Sequence, residues 1–347
     1  MLKQQKILIV APAWVGDAVM SLGLIHRLKQ QNPQAEITVL VVPWCEAVFK
    51  FCQDVTRVIP LNIPHGVFGM KARGQCAAAL KAYQFDVAYV LPNSWKSALI
   101  PFLARIPTRI GFTGEMRWGL LTHCLKKATH LPLLVDKYQS LMQTERQENS
   151  EFLRPRLAIN TNAFERAELL ARGSVILDKP VMAFCPGAEY GPAKRWPASY
   201  YAMVAQTYVD QGWQIWILGS PKDAAVAEEI VSAVSGQMTN WIGKTSLAEA
   251  IYLLSLSKMV VTNDSGLMHV AAALSLPTVA LFGSSSPDYT PPLSPLATIM
   301  YLKTACSPCF KRECPLIGDA HMKCLTQIWP QQVIETISEK LGSVSIL

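Results

Sequence analysis

Residues 258–283, KMVVTNDSGLMHVAAALSLPTVALFG, read as strand, tight turn, helix and strand in direct succession. Met259 to Thr262 is a short apolar run rich in β-branched residues, the pattern of a parallel strand buried on both faces. Asn263, Asp264, Ser265 and Gly266 follow at once. Asp264 or Ser265 can cap a helix, and Gly266 lets another group approach the backbone. Leu267 to Leu276 reads as a short, nearly uncharged helix that Pro277 ends, and Thr278 to Phe282 as the next buried strand. The first turn of such a helix points unpaired N–H groups and a positive dipole end out of the carboxyl edge of a sheet, a place suited to a phosphate. An ordinary βαβ unit with a normal cap reads equally well from the turn alone. His269, polar in an otherwise apolar helix, taken by itself reads as a satisfied core histidine.

The same alternation extends outward in both directions. Lys6 to Ala11 is a strand, and Val15, Val19, Leu22 and Leu28 then fall at helical spacing, so a helix starts near Gly16. Asp17 sits in its first turn. There it serves either as a favourable partner of the helix dipole or as a carboxylate facing the crevice of an open α/β sheet. Strands follow at Glu36 to Val42, 55–61, 85–92 and 109–114, with helices over Gln75 to Ala82 and 96–106. The second half has strands at 180–187, 213–220 and 240–243, and helices over Ala198 to Gln211, 222–235 and 246–257. This βα alternation predicts an α/β fold of doubly wound parallel sheets. Residues 137–165 are polar with alternating charge and read as an exposed helix followed by a linker, with a domain boundary near 155–175. The expected domains are 1–165 and 175–325, in keeping with a length of 347 residues. A terminal helix near 329–347 is a candidate to pack back on the first domain.

Half of the residues are hydrophobic, which excludes global disorder. The first residues do not read as a signal peptide, and no window offers ~20 uninterrupted apolar residues. The expected location is cytoplasmic, with the nine cysteines reduced. Residues 1–160 carry 19 Lys/Arg against 10 Asp/Glu, whereas residues 161–347 carry 13 against 15. The basic half should attract an anionic partner, or its lysines serve solubility only. Two of its basic stretches, KARG at 71–74 and PNSWKS at 92–97 with GEMRWG at 114–119, read as loops. In the second, Asn93, Ser94, Lys96, Glu115 and Arg117 lie beside Trp95 and Trp118, a mixture that suits a sugar or phosphate.

Neither GxGxxG nor GxxxxGK[ST] occurs, which weakens a dinucleotide dehydrogenase and a P-loop NTPase. Asp-x-Asp and HExxH are also missing. Cys306, Cys309, Cys314 and Cys324 give C-x2-C-x4-C-x9-C, either a structural zinc knuckle or a compact loop of reduced thiols. The cluster lies beyond the predicted crevice strands and is not expected to be catalytic.

Taken together, APAWVGDAVMS, LPNSWKSALIP, GFTGEMRWG, AKRWP, NDSGLMHVAAAL and CSPCFKRECP resemble the ADP-heptose:lipopolysaccharide heptosyltransferases of glycosyltransferase family 9. The resemblance runs over essentially the whole chain, and PNSWKSALIP and GEMRWG are most similar to its type II branch. It implies a GT-B fold, two Rossmann-like domains facing a cleft that must close for Asp17 and Asp264 to share one substrate pair. It implies an ADP-heptose donor on the second domain and, on the first, an anionic Kdo- and heptose-bearing lipid A acceptor. The implied reaction is inverting, metal-independent transfer to the first heptose of the lipopolysaccharide core, with no cofactor and no nucleic-acid partner. Peripheral contact with the cytoplasmic face of the inner membrane is implied as well.

Carried over by resemblance, Asp17 is the general base and Lys194 the lysine of the donor phosphates. Asp264, Ser265, Gly266 and Leu267 form the donor loop, whose N–H groups at 265–267 hold the diphosphate while Asp264 holds heptose hydroxyls. His269 supports that loop. Ala188, Glu189, Ser220, Asp223 and Lys244 to Leu247 are further donor-side candidates, and Asn93, Ser94, Lys96, Glu115 and Arg117 are the acceptor candidates. The competing readings are a heptosyltransferase of type I or III, a nucleotide-sugar epimerase of similar architecture, and a basic nucleic-acid-binding protein. Against the last, the cations are dispersed rather than gathered in a stripe.

Overall fold

In the computed structural model, residues 4–63, 69–142, 153–159, 163–173, 178–236 and 238–344 are described. The chain divides into two units, Met1–Ala158 and Ile159–Leu347. The first holds β1 (Lys6–Val10), α1 (Val15–Gln31), β2 (Glu36–Val41), α2 (Glu46–Lys50), β3 (Arg57–Pro60), α3 (Met70–Lys81) and β4 (Val87–Val90). It continues with α4 (Trp95–Leu103), β5 (Thr108–Phe112), β6 (His123–Leu125) and α5 (Leu134–Gln139). The second begins with α6 (Ala163–Arg172), β7 (Val181–Cys185), α7 (Ala198–Asp210), β8 (Gln214–Ile217), α8 (Ala224–Ser232) and β9 (Met238–Asn240). It ends with α9 (Leu247–Ser255), β10 (Met259–Asn263), α10 (Gly266–Ala273), β11 (Thr278–Phe282), β12 (Ala297–Tyr301), α11 (Lys323–Thr326) and α12 (Pro330–Val344).

Each unit is built on a six-stranded sheet, in the orders β3-β2-β1-β4-β5-β6 and β12-β11-β10-β7-β8-β9. The pairings are parallel, as Ile7 opposite Ile37 and Val261 opposite Val279 show. Helices cover both faces, which is why the central strands are apolar without interruption: Ile7, Leu8, Ile9, Met182, Ala183 and Phe184 are all buried. In both sheets the chain starts in the middle, winds to one edge, returns and winds to the other. The reversal falls between β1 and β4 in the first unit and between β7 and β10 in the second. Loops diverge at such a point and leave a crevice at the carboxyl ends of the strands. Asp17 and the 92–97 stretch follow β1 and β4; Lys194 and the Asp264 turn follow β7 and β10.

Several local expectations are corrected. KARG is not a loop: α3 begins at Met70, next to Gly69 in the left-handed region at φ +58°, and includes these residues. Arg73 is buried there and donates to the Lys96 carbonyl at 3.1 Å. Helix α10 stops at Ala273, before Pro277, because Ser275 turns left-handed and the Leu276 N–H returns to the Ala271 carbonyl. β9 ends at Asn240, whose side-chain oxygen takes the Ile242 N–H at 3.0 Å and turns the chain away.

The start of the 137–165 stretch is not exposed: Tyr138 and Gln139 are buried in α5. This helix packs on α1 at Gly23, where a Cβ would overlap Val135. Residues 143–152 and 160–162 of that stretch lie outside the described residues. Helix α12 completes the core of the second unit, with Val333 and Ile337 buried. Tyr208 O–H donates to the Ile334 carbonyl at 3.3 Å, and Lys340 Nζ to the Leu296 carbonyl at 2.9 Å. Among the described residues, no helix is long and apolar enough to cross a membrane.

Candidate active site

The turn between β10 and α10 carries a buried polar cluster. Asp264 is 7% exposed, and its Oδ2 is 2.5 Å from Lys194 Nζ. The same oxygen accepts from Ser285 O–H at 2.5 Å. Lys194 comes from the loop after β7 and Ser285 from the loop after β11, so three chain segments meet on one carboxylate. Asn263 holds them in register. Its Oδ1 accepts from Trp196 N–H and Tyr201 O–H, both at 3.1 Å, and its Nδ2 donates to the Pro186 carbonyl at 2.6 Å. The 186–196 loop is thereby tied to the end of β10 by a fully buried and satisfied amide. Sequence reasoning missed Asn263 and Ser285. The only local signal was a polar residue closing an apolar strand, in Asn263, and a serine run opening a loop, in Ser284 to Ser286.

Ser265 is the N-cap of α10, yet its side chain makes no capping bond to the helix N–H groups. Its hydroxyl instead faces Thr262 Oγ1 at 3.4 Å. Ser265, Gly266 and Leu267 are half-buried, and the first N–H groups of α10 receive no bond from the cap side chain. His269 lies behind them, 4% exposed. Burial pulls its imidazole down to about 4; Asp264 opposes this and Lys194 reinforces it. The ring is therefore neutral at neutral pH and adds no charge, and its Nδ1 is buried without a partner.

The remaining donor-side candidates are not brought to Asp264. Ser220 donates to Asp223 from both its N–H and its hydroxyl, at 3.0 and 2.8 Å, in a capping box that starts the turn before α8. Arg195 closes on the other Asp223 oxygen at 3.1 Å. Lys222 pairs with Glu189. Lys244 is exposed after β9, and its side chain is absent from the polar contacts around Asp264.

In the first unit, Asp17 is half-buried in the opening turn of α1, after the 11–14 loop. That loop is pinned through Ala13, whose carbonyl accepts from Trp44 Nε1 at 2.8 Å and from Cys45 Sγ at 3.4 Å. Burial first, and the Asp17 charge second, push the Cys45 thiol up to about 12, so it stays protonated beside the carboxylate.

The two acceptor stretches do meet. Trp95 N–H donates to Glu115 Oε2 at 3.3 Å, and Gly114 lies so close to Asn93 that a Cβ would overlap its carbonyl. Asn93 and Glu115 are exposed, and Ser94 and Lys96 are half-buried at the start of α4. Arg117 requires a correction. It is 1% exposed, and its guanidinium donates inward to the carbonyls of Pro92, at 2.6 Å, and of Phe112. It staples the two loops together from beneath. Arg117→Met should remove both bonds, leaving the Pro92 carbonyl with the Ser97 hydroxyl at 3.1 Å, and lower stability by about 1–3 kcal/mol in chemical denaturation. A stability unchanged from wild type would show that the guanidinium is dispensable.

Exposed tryptophans stand beyond these loops: Trp14 after β1, Trp44 after β2, Trp95 after β4 and Trp118 after β5. Those strands are neighbours in the sheet, so the indoles follow one carboxyl edge.

The four cysteines at 306–324 are free thiols. Among the described residues, no group of three or more His, Cys, Asp or Glu side chains is placed to hold a metal ion. The loop they belong to does reach the candidate site through its backbone: Phe310 N–H donates to the Ser284 carbonyl, and Ala193 N–H to the Arg312 carbonyl.

Comparison with known proteins identifies the family and the fold. The model of glycosyltransferase family 9 (heptosyltransferase) matches residues 73–318. Lipopolysaccharide heptosyltransferase 2 of Escherichia coli (strain K12) is 40% identical over 348 residues, covering 97% of this chain and 98% of its own. The enzyme of that name from Salmonella typhimurium is 39% identical, covering 98% and 100%. The solved structure of E. coli ADP-heptose lipopolysaccharide heptosyltransferase II superposes with a TM-score of 0.85 at 38% identity, over 98% of this chain and 100% of that one. The two doubly wound units thus have the GT-B heptosyltransferase fold, and the chain belongs to glycosyltransferase family 9, the heptosyltransferases.

Proposed function

We propose that this glycosyltransferase acts as a type II heptosyltransferase, moving heptose from ADP-heptose to the first heptose of a lipopolysaccharide core. The observation that carries the donor assignment is the Lys194–Asp264–Ser285 cluster at the reversal point of the second sheet, beside the unbonded N-terminus of α10. The acceptor assignment rests on the near-full-length likeness to the E. coli type 2 enzyme.

In this reading Asp17 takes the proton of the acceptor hydroxyl as that oxygen forms its bond to the anomeric carbon of heptose. The bond from that carbon to the diphosphate breaks, and ADP leaves with the electron pair. Attack from the face opposite ADP inverts the centre through an oxocarbenium-like state. Lys194 and the N–H groups of α10 offset the charge growing on the leaving diphosphate, a role that does not call for a metal ion. Asn93, Ser94, Lys96 and Glu115, with the exposed indoles, present hydrogen-bonding groups and flat apolar faces to the acceptor sugars. The cation excess of residues 1–160 suits an anionic core and a peripheral place on the cytoplasmic face of the inner membrane.

The test is ADP release on mixing the pure protein with ADP-heptose and cores carrying zero, one or two heptoses, with chelator present. Release with the one-heptose core alone is expected. Release with the heptose-free core alone would move the enzyme to type I, and release only after metal is restored would remove the metal-independent mechanism.

A further inference from the structure

The donor cluster is short of positive charge. Lys194 is already paired with Asp264, Arg195 with Asp223, and Lys222 with Glu189. A nucleoside diphosphate entering this site therefore meets cations whose charges are each offset by a carboxylate. Among the described residues, Arg312 has no carboxylate partner, and it is exposed.

Arg312 is also held next to Lys194. The two share the Tyr190 ring, with Lys194 Nζ 5.2 Å and Arg312 Cζ 5.5 Å from its centroid. Both cations are thus oriented by one aromatic face system. The backbone around Arg312 is fixed on two sides. Its carbonyl accepts Ala193 N–H at 2.9 Å, and the Phe310 carbonyl accepts Tyr190 O–H at 2.8 Å. Gly191 is so close to Arg312 that a Cβ there would overlap its carbonyl. On the other side, Phe310 N–H donates to the Ser284 carbonyl at 2.7 Å, next to Ser285 on Asp264. Ser284 Oγ is buried there and without a partner.

We propose that Arg312 is a second cation of the donor-diphosphate site, and that the cysteine-rich 306–314 loop exists to hold it in register with Lys194 and Ser284. This inference rests on the donor-site reading given above. The guanidinium matches phosphate oxygens in a bidentate manner, which an ammonium does not. Its charge remains available to the leaving group while Lys194 is shared with Asp264.

Binding of ADP and of adenosine to the full chain by calorimetry tests this, with wild type, Lys194→Ala, Arg312→Gln and Arg312→Lys, and thermal melting as the check on folding. Arg312→Gln should weaken ADP by about 10-fold or more and leave adenosine unchanged, with Arg312→Lys between it and wild type. If Lys194→Ala weakens ADP and Arg312→Gln does not, the inference is overturned while the donor site stands. If neither variant affects ADP, the donor-site reading itself is wrong, and this inference falls with it. An equal loss for ADP and adenosine in a folded Arg312→Gln protein would assign the residue to the shape of the site and overturn the phosphate contact.

Discussion

Asp17→Asn is expected to bind ADP as the wild type does and to lose heptose transfer by 10²–10⁴-fold in kcat, roughly the contribution of a positioned base. The amide keeps the size of the carboxylate and its place in the first turn of α1, but it cannot accept the hydroxyl proton. The 11–14 loop is held by Trp44 and Cys45 through the Ala13 carbonyl, so the substitution does not release the turn. The neighbouring thiol does not replace the lost base, since burial and the Asp17 charge hold Cys45 up to about 12. The acid limb of the pH–rate profile, which reports protonation of the base, should vanish together with the rate. Wild-type turnover in the variant, or an unchanged acid limb, would remove Asp17 from the proposed mechanism.

Lys194→Met is expected to lower kcat/KM for ADP-heptose by roughly 10²–10³-fold, with loss in both donor affinity and kcat. Two effects act together. The leaving diphosphate loses a cation, and Asp264, 7% exposed, loses the counter-charge 2.5 Å from its oxygen. The carboxylate is then left with the Ser285 hydroxyl and repels the phosphates that should dock beside it. A double variant, Lys194→Met with Asp264→Asn, should therefore bind ADP better than Lys194→Met alone, because the repelling charge is gone. Non-additivity of this sign is expected of groups in one network. Additive losses in the double variant would mean that Lys194 and Asp264 act on the ligand independently.

Much of this architecture is legible along the chain. The strand that opens at Met259, the turn at Asp264 to Gly266 and the placing of Asp17 in a first helical turn all follow from local patterns, whereas the missing side-chain cap at Ser265 does not. Continuous apolar runs of β-branched residues require burial on both faces, and such burial requires a parallel sheet wrapped by helices. Where local reading failed, a distant partner was the cause. KARG has the composition of a solvated loop, but Arg73 reaches the Lys96 carbonyl and is buried in a helix. Arg117 stands between exposed neighbours in the sequence, yet its side chain is sealed under two loops.

The sequence by itself determined two successive doubly wound α/β units and the chemical types available at their carboxyl edges, because strand and helix periods are properties of contiguous residues. Only the tertiary structure decided which of those groups act together. Lys194 and Asp264 are 70 positions apart and meet because the strand order reverses to put β10 beside β7, and Tyr190 and Phe310, 120 apart, meet because the loop after β12 returns across the sheet edge. A charged side chain is stable in a half-buried crevice only with a partner at hydrogen-bonding distance, and that partner comes from whichever segment the topology brings there.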